Sequence, residues 1–349
     1  MSNSFIHAPH ATEVTARTKT GTVKRRRLLM MAAILPLVGW RLQHNAEAAP
    51  LRWEGMALGA PASLVLYHGG DTQRAQAALT ATLAEVSRME AMFSLFRADS
   101  WLSTLNRAGR VDNAPPEFIE LLRTALDMAE LSHGLFDPSV QPLWSLYYDH
   151  FVVGGNTQPP TADKVAAAKA LVGWHGVQIS GASVTLAHPG MGLTLNSVGQ
   201  GYITDRCVAV LRAHGFSQML VDMGEPRAMA AKPDGSAWQI GLADPRDPSR
   251  SLHTLSLLDQ AVATSGGYGT ILDAAGLYTH LINPLTGRTA PAYESVSVVA
   301  PTATQANALS TPLTLIPSSD VSARLALLRT QPGCRAICIN DAGQVSELS

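Results

Sequence analysis

Apolar residues follow two spacings along the chain, and each predicts a different kind of element. They recur every three or four positions at Leu79, Leu83, Val86, Met89 and Phe93, which is typical of one face of a helix. Short apolar runs bounded by Gly, Pro, Asn or Asp indicate strands. The predicted helices begin after residue 71 and lie at about 100–106, 115–134, 161–171, 202–213 and around 307–311. The predicted strands lie at about 62–68, 177–180, 183–187, 193–195, 219–223, 238–242, 260–264 and 295–299.

This order of elements predicts an α+β fold, with sheets covered by helices on one side. No self-similar period indicates a repeat architecture. The 349 residues carry a formal net charge of −1. No basic run follows residue 27, which argues against a nucleic-acid partner. Three cysteines, Cys207, Cys334 and Cys338, are too few for a disulfide framework, and the spacing of the last two lacks companion zinc ligands. We expect all three to be structural.

The first residues have the order of an export signal. Lys24-Arg25-Arg26-Arg27 precedes an apolar run over 28–40, and Ala46-Glu47-Ala48 offers a small-residue cleavage site. The apolar run is shorter than the ~20 residues that cross a bilayer as a helix. The adjacent arginines look like a twin-arginine signal. We therefore expect a signal peptide at 1–48 and a periplasmic domain at 49–349, with no stable transmembrane segment. The general secretory route and a retained anchor are the alternatives.

Residue types suited to chemistry concentrate in short stretches. These are Phe93-Ser94-Leu95-Phe96 with Ser100 and Asn106; residues 134–140; Leu195-Asn196-Ser197-Val198-Gly199-Gln200-Gly201-Tyr202 with Asp205; Asp222-Met223-Gly224-Glu225; residues 263–268 and 280–287; and Asn307-Ala308-Leu309-Ser310-Thr311. In this order and spacing they resemble the ApbE family of FAD:protein FMN transferases, over nearly all of the predicted mature domain. The stretch from Leu195 and the twin-arginine signal look most like the NosX branch, which is associated with nitrous oxide respiration.

The resemblance implies a fold, a reaction and a partner. The fold would be ApbE-like, with mixed, largely antiparallel sheets covered by helices. FAD would be split at its pyrophosphate, FMN would be attached through phosphate to a Ser or Thr of an acceptor flavoprotein, and AMP would leave. Mg²⁺ would be required. The acceptor implied by the NosX branch is a membrane electron-transfer protein.

The resemblance also implies a set of site residues. His280 would be the catalytic base, which suits an imidazole because its pKa lies near neutrality. Asn307 and Thr311, spaced i and i+4 on a predicted helix, would bind the metal together with the carbonyl of Gly199. The residues implied to contact the flavin nucleotide are Asn106, Asp137, Gly199, Gln200, Gly201, Tyr202, Gly224, Glu225, Thr264, Ser265, Gly266 and Thr286.

For each of these motifs, the residue types alone also allow an ordinary structural role. Gly199-Gln200-Gly201 suits a phosphate at a helix N-terminus or an ordinary strand-to-helix turn. Thr264-Ser265-Gly266 suits ligand contact or a tight hairpin, and His280 suits a base or a hydrogen-bonded loop residue. Asp137-Pro138 also suits a turn.

The chain departs from the family pattern where charge matters. Asn307 and Asn283 stand where the family usually has Asp, and Gln200 stands where it more often has Lys. Pro312 should disturb the predicted helix at Ala308 and Thr311. Two alternatives to a transferase therefore remain, namely an FAD-binding protein with weak turnover and an FAD pyrophosphatase that uses water as acceptor.

Overall fold

A computed structural model of the chain describes residues 49–57, 59–290 and 294–349. The expected signal peptide, residues 1–48, lies outside the described residues, so its presence and its export route stay predictions. Within these ranges no helix combines the length and the apolarity that a bilayer crossing needs.

Strands and helices alternate in short runs. The strands are β1 (Leu51–Ala57), β2 (Ala60–Leu66), β3 (Arg110–Val111), β4 (Val177–Ser180), β5 (Ser183–Leu186), β6 (Met219–Asp222), β7 (Pro226–Met229), β8 (Trp238–Asp244), β9 (Asp247–Leu257), β10 (Gln260–Gly266), β11 (Ser295–Ala300), β12 (Arg335–Ile339) and β13 (Val345–Leu348). The helices are α1 (Thr72–Phe93), α2 (Trp101–Ala108), α3 (Pro116–Leu131), α4 (Gln141–Tyr148), α5 (Ala162–Lys169), α6 (Asn196–Ala213), α7 (Ala303–Leu315) and α8 (Val321–Arg329).

A single large sheet organises the described residues. Its strand order is β1-β2-β6-β7-β10-β11-β12-β13, and every neighbouring pair is antiparallel. Strands β3, β5 and β4 form a small second sheet, and β8 and β9 form a hairpin. The predicted α+β class, with largely antiparallel sheets, is confirmed.

The large sheet is covered on both faces. Alternate residues of β10 and β11, such as Ala263 and Val298, join the main core with buried residues of α1, α6 and α7. Their neighbours Val262 and Val299 join a second core with Trp238 and Leu255 of the β8–β9 hairpin. Side chains alternate between the faces of a strand, so a strand covered on both faces is apolar throughout. This explains why β11 is buried along its whole length.

Helix α6 begins earlier than the sequence predicts. The strand predicted at 193–195 is absent, and α6 starts at Asn196, so Gly199-Gln200-Gly201 lies within its first turns. The glycines indicated a turn, but Gly201 serves the packing of two helices. A Cβ at this position would lie 2.2 Å from the carbonyl oxygen of Ala303, at the start of α7. Glycine is therefore required for the close approach of α6 and α7.

Asp205 holds the start of α7 against α6. Its carboxylate accepts hydrogen bonds from the backbone N–H groups of Ala303 (3.0 Å) and Thr304 (2.9 Å) and forms an ion pair with Arg227 of β7. A carboxylate at a helix N-terminus satisfies free N–H groups and complements the helix dipole. One side chain of α6 thereby connects α6, α7 and the large sheet.

Helix α7 continues through Pro312 to Leu315, so the disturbance expected at Ala308 and Thr311 does not end the helix. A proline lacks the N–H that would bond to the carbonyl of Ala308. The helix is nevertheless held on the sheet, because nearly all of its side chains are buried. Tertiary packing outweighs the local cost of the proline.

The cysteines are unpaired, as expected for structural residues. Cys207 and Cys338 are buried, and Cys334 is partly exposed. Burial raises the pKa of the Cys207 thiol to about 12 and that of Cys334 to about 11. Neither group is a thiolate near neutral pH, which leaves packing as their role.

Candidate active site

An open cleft of about 390 Å³ lies where α6, α7 and the end of β10 meet the loop that carries His280. It brings together residues that are far apart in the sequence. The predicted site residues that line it are Gln200, Glu225, Thr264, Ser265, Gly266, His280, Asn307 and Thr311. The lining residues to which no role was predicted are Val140, Trp144, Thr194, Asn196, Ser197, Tyr268, Gly269 and Leu281.

Hydroxyl groups from β10 and α7 meet on one wall of the cleft. The Oγ atom of Ser265 lies 2.8 Å from Oγ of Ser310 and 3.2 Å from Oγ1 of Thr311. Thr264 hydrogen-bonds to Ser297 on the neighbouring strand, with 2.7 Å between the hydroxyl oxygens. Thr264-Ser265-Gly266 therefore forms the end of β10 and not a tight hairpin. Hydroxyls on a rigid strand and helix are well placed to bind polar groups of a ligand.

His280 presents one free ring nitrogen. Its backbone N–H donates to the carbonyl of Thr270 at 3.0 Å, and its ring Nδ1 lies 3.3 Å from the same oxygen. Donation from Nδ1 to this carbonyl leaves the lone pair on Nε2. Burial lowers the pKa of His280 below its ordinary 6.5, although the Thr270 carbonyl opposes this. The neutral imidazole is the form that can accept a proton.

Glu225 and Asn307 form a buried pair at the inner end of the cleft. Nδ2 of Asn307 donates to Oε1 of Glu225 at 2.9 Å, and Oδ1 of Asn307 accepts from the backbone N–H of Gly201 at 3.3 Å. Burial raises the pKa of Glu225 well above its ordinary value, and the negative charge of Asp222 adds to this effect. A hydrogen bond from the backbone of Thr264 opposes it. Burial likewise raises the pKa of Asp222.

The loop that carries Glu225 is held by α6. The hydroxyl of Thr204 donates to the carbonyl of Glu225 at 2.9 Å and accepts from the backbone N–H of Met223 at 3.2 Å. Gly224 between them has a φ of 110°, which glycine adopts readily. A Cβ on Gly224 would also lie 2.6 Å from the side chain of Gln200. Gly224 therefore shapes the loop behind the cleft and does not line it.

Aromatic and apolar side chains form another part of the cleft wall. Trp144 of α4 lines the cleft and stacks on Tyr148, with ring centroids 4.8 Å apart and ring planes inclined by 13°. Val140, just before α4, lies beside it in the lining. Aromatic and apolar walls with a few polar groups are typical of sites for planar ligands.

Other predicted residues act as structural supports outside the cleft. Asn106 of α2 pairs with the backbone of Leu193 in both directions, at 2.8 and 2.7 Å, and so holds the segment before α6. Asp137 accepts hydrogen bonds from Ser139 and from the backbone of Trp174, which favours its alternative role in a turn. Burial raises the pKa of Asp137. Neither residue lines the cleft.

Tyr202, Thr286 and the helical glycines also lie away from the lining. The hydroxyl of Tyr202 donates to Glu120 of α3 at 2.9 Å, on the side of α6 that packs on helices. Thr286 lies in the turn that begins at Asn283, whose Oδ1 accepts its N–H at 3.2 Å. Gly199 is buried in α6, and its N–H donates to the carbonyl of Leu195. The N–H of Gly201 donates to Oδ1 of Asn307 at 3.3 Å. Contact of these glycines with a phosphate stays a prediction.

The oxygen donors of the cleft fit a hard cation such as the Mg²⁺ that the resemblance implies. Ser265 and Thr311 offer hydroxyls, and Glu225 offers a carboxylate. Asn307 is less available than predicted, because both ends of its carboxamide are hydrogen-bonded within the protein. No group of three or more His, Cys, Asp or Glu placed to hold an ion occurs among the described residues. The donor set therefore fits an ion that ligand phosphates help to hold.

Comparisons with known proteins show what the chain as a whole is similar to. Residues 58–338 match the ApbE family. The chain is 30% identical to the FAD:protein FMN transferase of Treponema pallidum, over 81% of this chain and 83% of that protein. It is 26% identical to the FAD:protein FMN transferase of Klebsiella pneumoniae, over 71% and 73%.

Solved structures share the fold. The apo form of the Pseudomonas stutzeri flavinyl transferase ApbE superimposes with a TM-score of 0.72 and 26% identity, over 86% of this chain and 94% of that one. The apbe protein of Thermotoga maritima gives a TM-score of 0.75 at 24% identity, over 86% and 97%, which shows likeness of fold alone.

Proposed function

The chain belongs to the ApbE family, and from that membership we propose that it transfers FMN from FAD to a hydroxyl of an acceptor protein. The observation that carries the proposal is the meeting of His280 with the hydroxyls of Ser265 and Thr311 in one cleft. The names of the relatives support the reaction, since the curated proteins of Treponema pallidum and Klebsiella pneumoniae are FAD:protein FMN transferases.

The geometry supports a direct role for His280 in proton transfer. Its Nδ1 faces the carbonyl of Thr270, so Nε2 can accept the proton of a Ser or Thr hydroxyl on the acceptor. The hydroxyl oxygen then forms a bond to the phosphorus of the FMN half of FAD. The bond from that phosphorus to the bridging oxygen breaks, and the electron pair leaves with AMP.

The remaining lining residues position FAD. Trp144 and Val140 offer an apolar surface for a planar ring, and the hydroxyls of Ser265 and Thr311 offer hydrogen bonds to phosphate oxygens. Mg²⁺, when bound, would neutralise negative charge on the pyrophosphate. Glu225, Ser265 and Thr311 are the side chains with oxygens available to hold it.

Export and the acceptor belong to the same proposal. The basic and apolar order of residues 24–48 supports a twin-arginine signal and a periplasmic site of action. The acceptor we propose is a membrane flavoprotein of electron transfer, of the kind served by the NosX branch in nitrous oxide respiration. Replacing Arg25, Arg26 and Arg27 by Lys should keep the protein in the cytoplasm. Normal appearance of that variant in the periplasm would contradict the proposed route.

Incubation of the purified protein with FAD and Mg²⁺, with and without a candidate acceptor protein, tests the reaction. A transferase should release AMP and leave flavin fluorescence on the acceptor after denaturing electrophoresis. AMP with free FMN, independent of the acceptor, would instead identify the FAD pyrophosphatase. Binding of FAD without AMP release would identify the flavin-binding alternative.

A further inference from the structure

Glu225 supplies the carboxyl group of the cleft. It follows β6, it is only 7% exposed, and no other residue in the lining is an Asp or Glu. Asn307 of α7, which also lines the cleft, is neutral.

Among the described residues, Glu225 has no cationic partner. None of the ion pairs formed within the described ranges includes it. Its charged neighbour is Asp222, which has the same sign. His280 is the one basic residue among those that line the cleft. A buried carboxyl group without a counter-ion either keeps its proton or is ionised beside a bound cation. Its place in the lining of a ligand cleft, together with the hydroxyl oxygens of Ser265 and Thr311, favours the cation.

The hydrogen bond between Asn307 and Glu225 fixes the position of the Glu225 carboxyl group. The carboxamide of Asn307 uses Nδ2 to hold Oε1 of Glu225 and Oδ1 to accept the N–H of Gly201. An aspartate at 307 would lose the donor and place two carboxylates at hydrogen-bonding distance. Asn307 is therefore a positioning residue for Glu225. A carboxylate has about four lone-pair sites, so those that Asn307 and the backbone of Thr264 do not use can bind a ligand.

We propose that Glu225 is the anionic protein ligand of a divalent cation in this cleft, and that Asn307 orients it. The inference rests on the proposed function, because phosphate oxygens of FAD would complete the coordination. The hydroxyls of Ser265 and Thr311 lie in the same lining and supply neutral oxygens. An ion held by one carboxylate and by phosphates is typical of Mg²⁺.

Binding of Mn²⁺, followed by its electron paramagnetic resonance signal with and without FAD, tests the proposal. Glu225→Gln should weaken Mn²⁺ binding on the order of 10- to 100-fold, the range by which even outer-shell partners change metal affinity. Asp222→Asn is the matched control, since it removes a neighbouring charge but no lining oxygen. We expect it to change the affinity by less than about threefold, because a charge that is no ligand acts only at a distance.

The double variant Glu225→Gln with Asn307→Asp (the exchanged pair) places the carboxylate on α7 instead and should restore Mn²⁺ binding. It also keeps the experiment informative if Glu225→Gln alone fails to fold. Unchanged affinity in Glu225→Gln, equal losses in Glu225→Gln and Asp222→Asn, or an exchanged pair as weak as Glu225→Gln would overturn the proposal. The titration needs no acceptor and no turnover. Its failure is therefore distinct from a failure of the transferase assay.

Discussion

At the scale of single residues, His280 carries a prediction about pH. Burial lowers its pKa below 6.5, so the neutral base persists to lower pH than a free imidazole would allow. As pH falls through the lowered pKa, the base is protonated and transfer should decline. The acidic limb of a plot of the transfer rate against pH should therefore have its midpoint below 6.5. A midpoint at or above that value would contradict the assignment.

His280→Ala should remove most of the transfer while FAD binding survives. Loss of a general base typically costs on the order of 10²–10⁴ in rate. His253→Ala is a suitable control, since that histidine lies on β9 of the hairpin that covers the other face of the sheet. Rates in single turnover and FAD affinity by fluorescence separate the two effects. Near-normal transfer by His280→Ala would show that His280 is only a hydrogen-bonded loop residue.

The family resemblance indicated which side chains could serve a flavin nucleotide but not which of them would meet. Thr264, Ser265, His280 and Thr311 were among the residues that it implied, and they share the cleft. Asn106 and Asp137 have equally suitable side chains, yet both are used to hold backbone segments. Trp144 was missed, because an aromatic residue at helical spacing gives no signal that distinguishes a cleft wall from a core.

At the scale of elements, the contact of α6 with the loop before β7 carries a prediction. Thr204→Val keeps the shape of the side chain but leaves the carbonyl of Glu225 and the N–H of Met223 without their partner. Leaving buried polar groups unsatisfied costs about 1–3 kcal/mol each. The free energy of unfolding should fall by at least this amount in denaturant titrations. Thr204→Ser retains the hydroxyl and should lose less; equal losses in the two variants would refute the hydrogen-bonding role.

Local sequence patterns predicted some element boundaries and failed to predict others. The helix predicted at 100–106 corresponds to α2, and the side chain of Ser100 caps it by accepting a hydrogen bond from the N–H of Ser103. The start of α6 was misplaced by the glycines, because nothing local indicates that Gly201 must admit the backbone of Ala303. Helices α4 and α8 and the strands β1, β3, β7, β9, β12 and β13 were not predicted. Their stability comes from pairing and packing with distant segments, which a local pattern does not report.

At the scale of the whole molecule, the β8–β9 hairpin covers one face of the large sheet and the cleft lies elsewhere. A substitution in the hairpin should therefore lower stability without changing FAD binding. Trp238 anchors the β8–β9 hairpin: it is 4% exposed and its Nε1 donates to the carbonyl of Ala230 at 2.9 Å. Trp238→Ala should lower the free energy of unfolding by about 3–5 kcal/mol. Trp238→Phe should cost less, because most of the apolar contact remains. FAD affinity of the folded variants should stay unchanged, since the cleft lies elsewhere, and a parallel loss of affinity would contradict this separation.

The capping of α7 by Asp205 also determines when, during synthesis, the protein can first bind FAD. During synthesis, the residues of α6, β6 and β10 are added to the chain before residues 303–315 of α7. Until then the carboxylate of Asp205 has no Ala303 or Thr304 to bind, and the cleft lacks the wall that carries Asn307 and Thr311. Nascent chains released before residue 303 should therefore not capture FAD. We therefore expect that the proposed loading with FAD requires the finished chain.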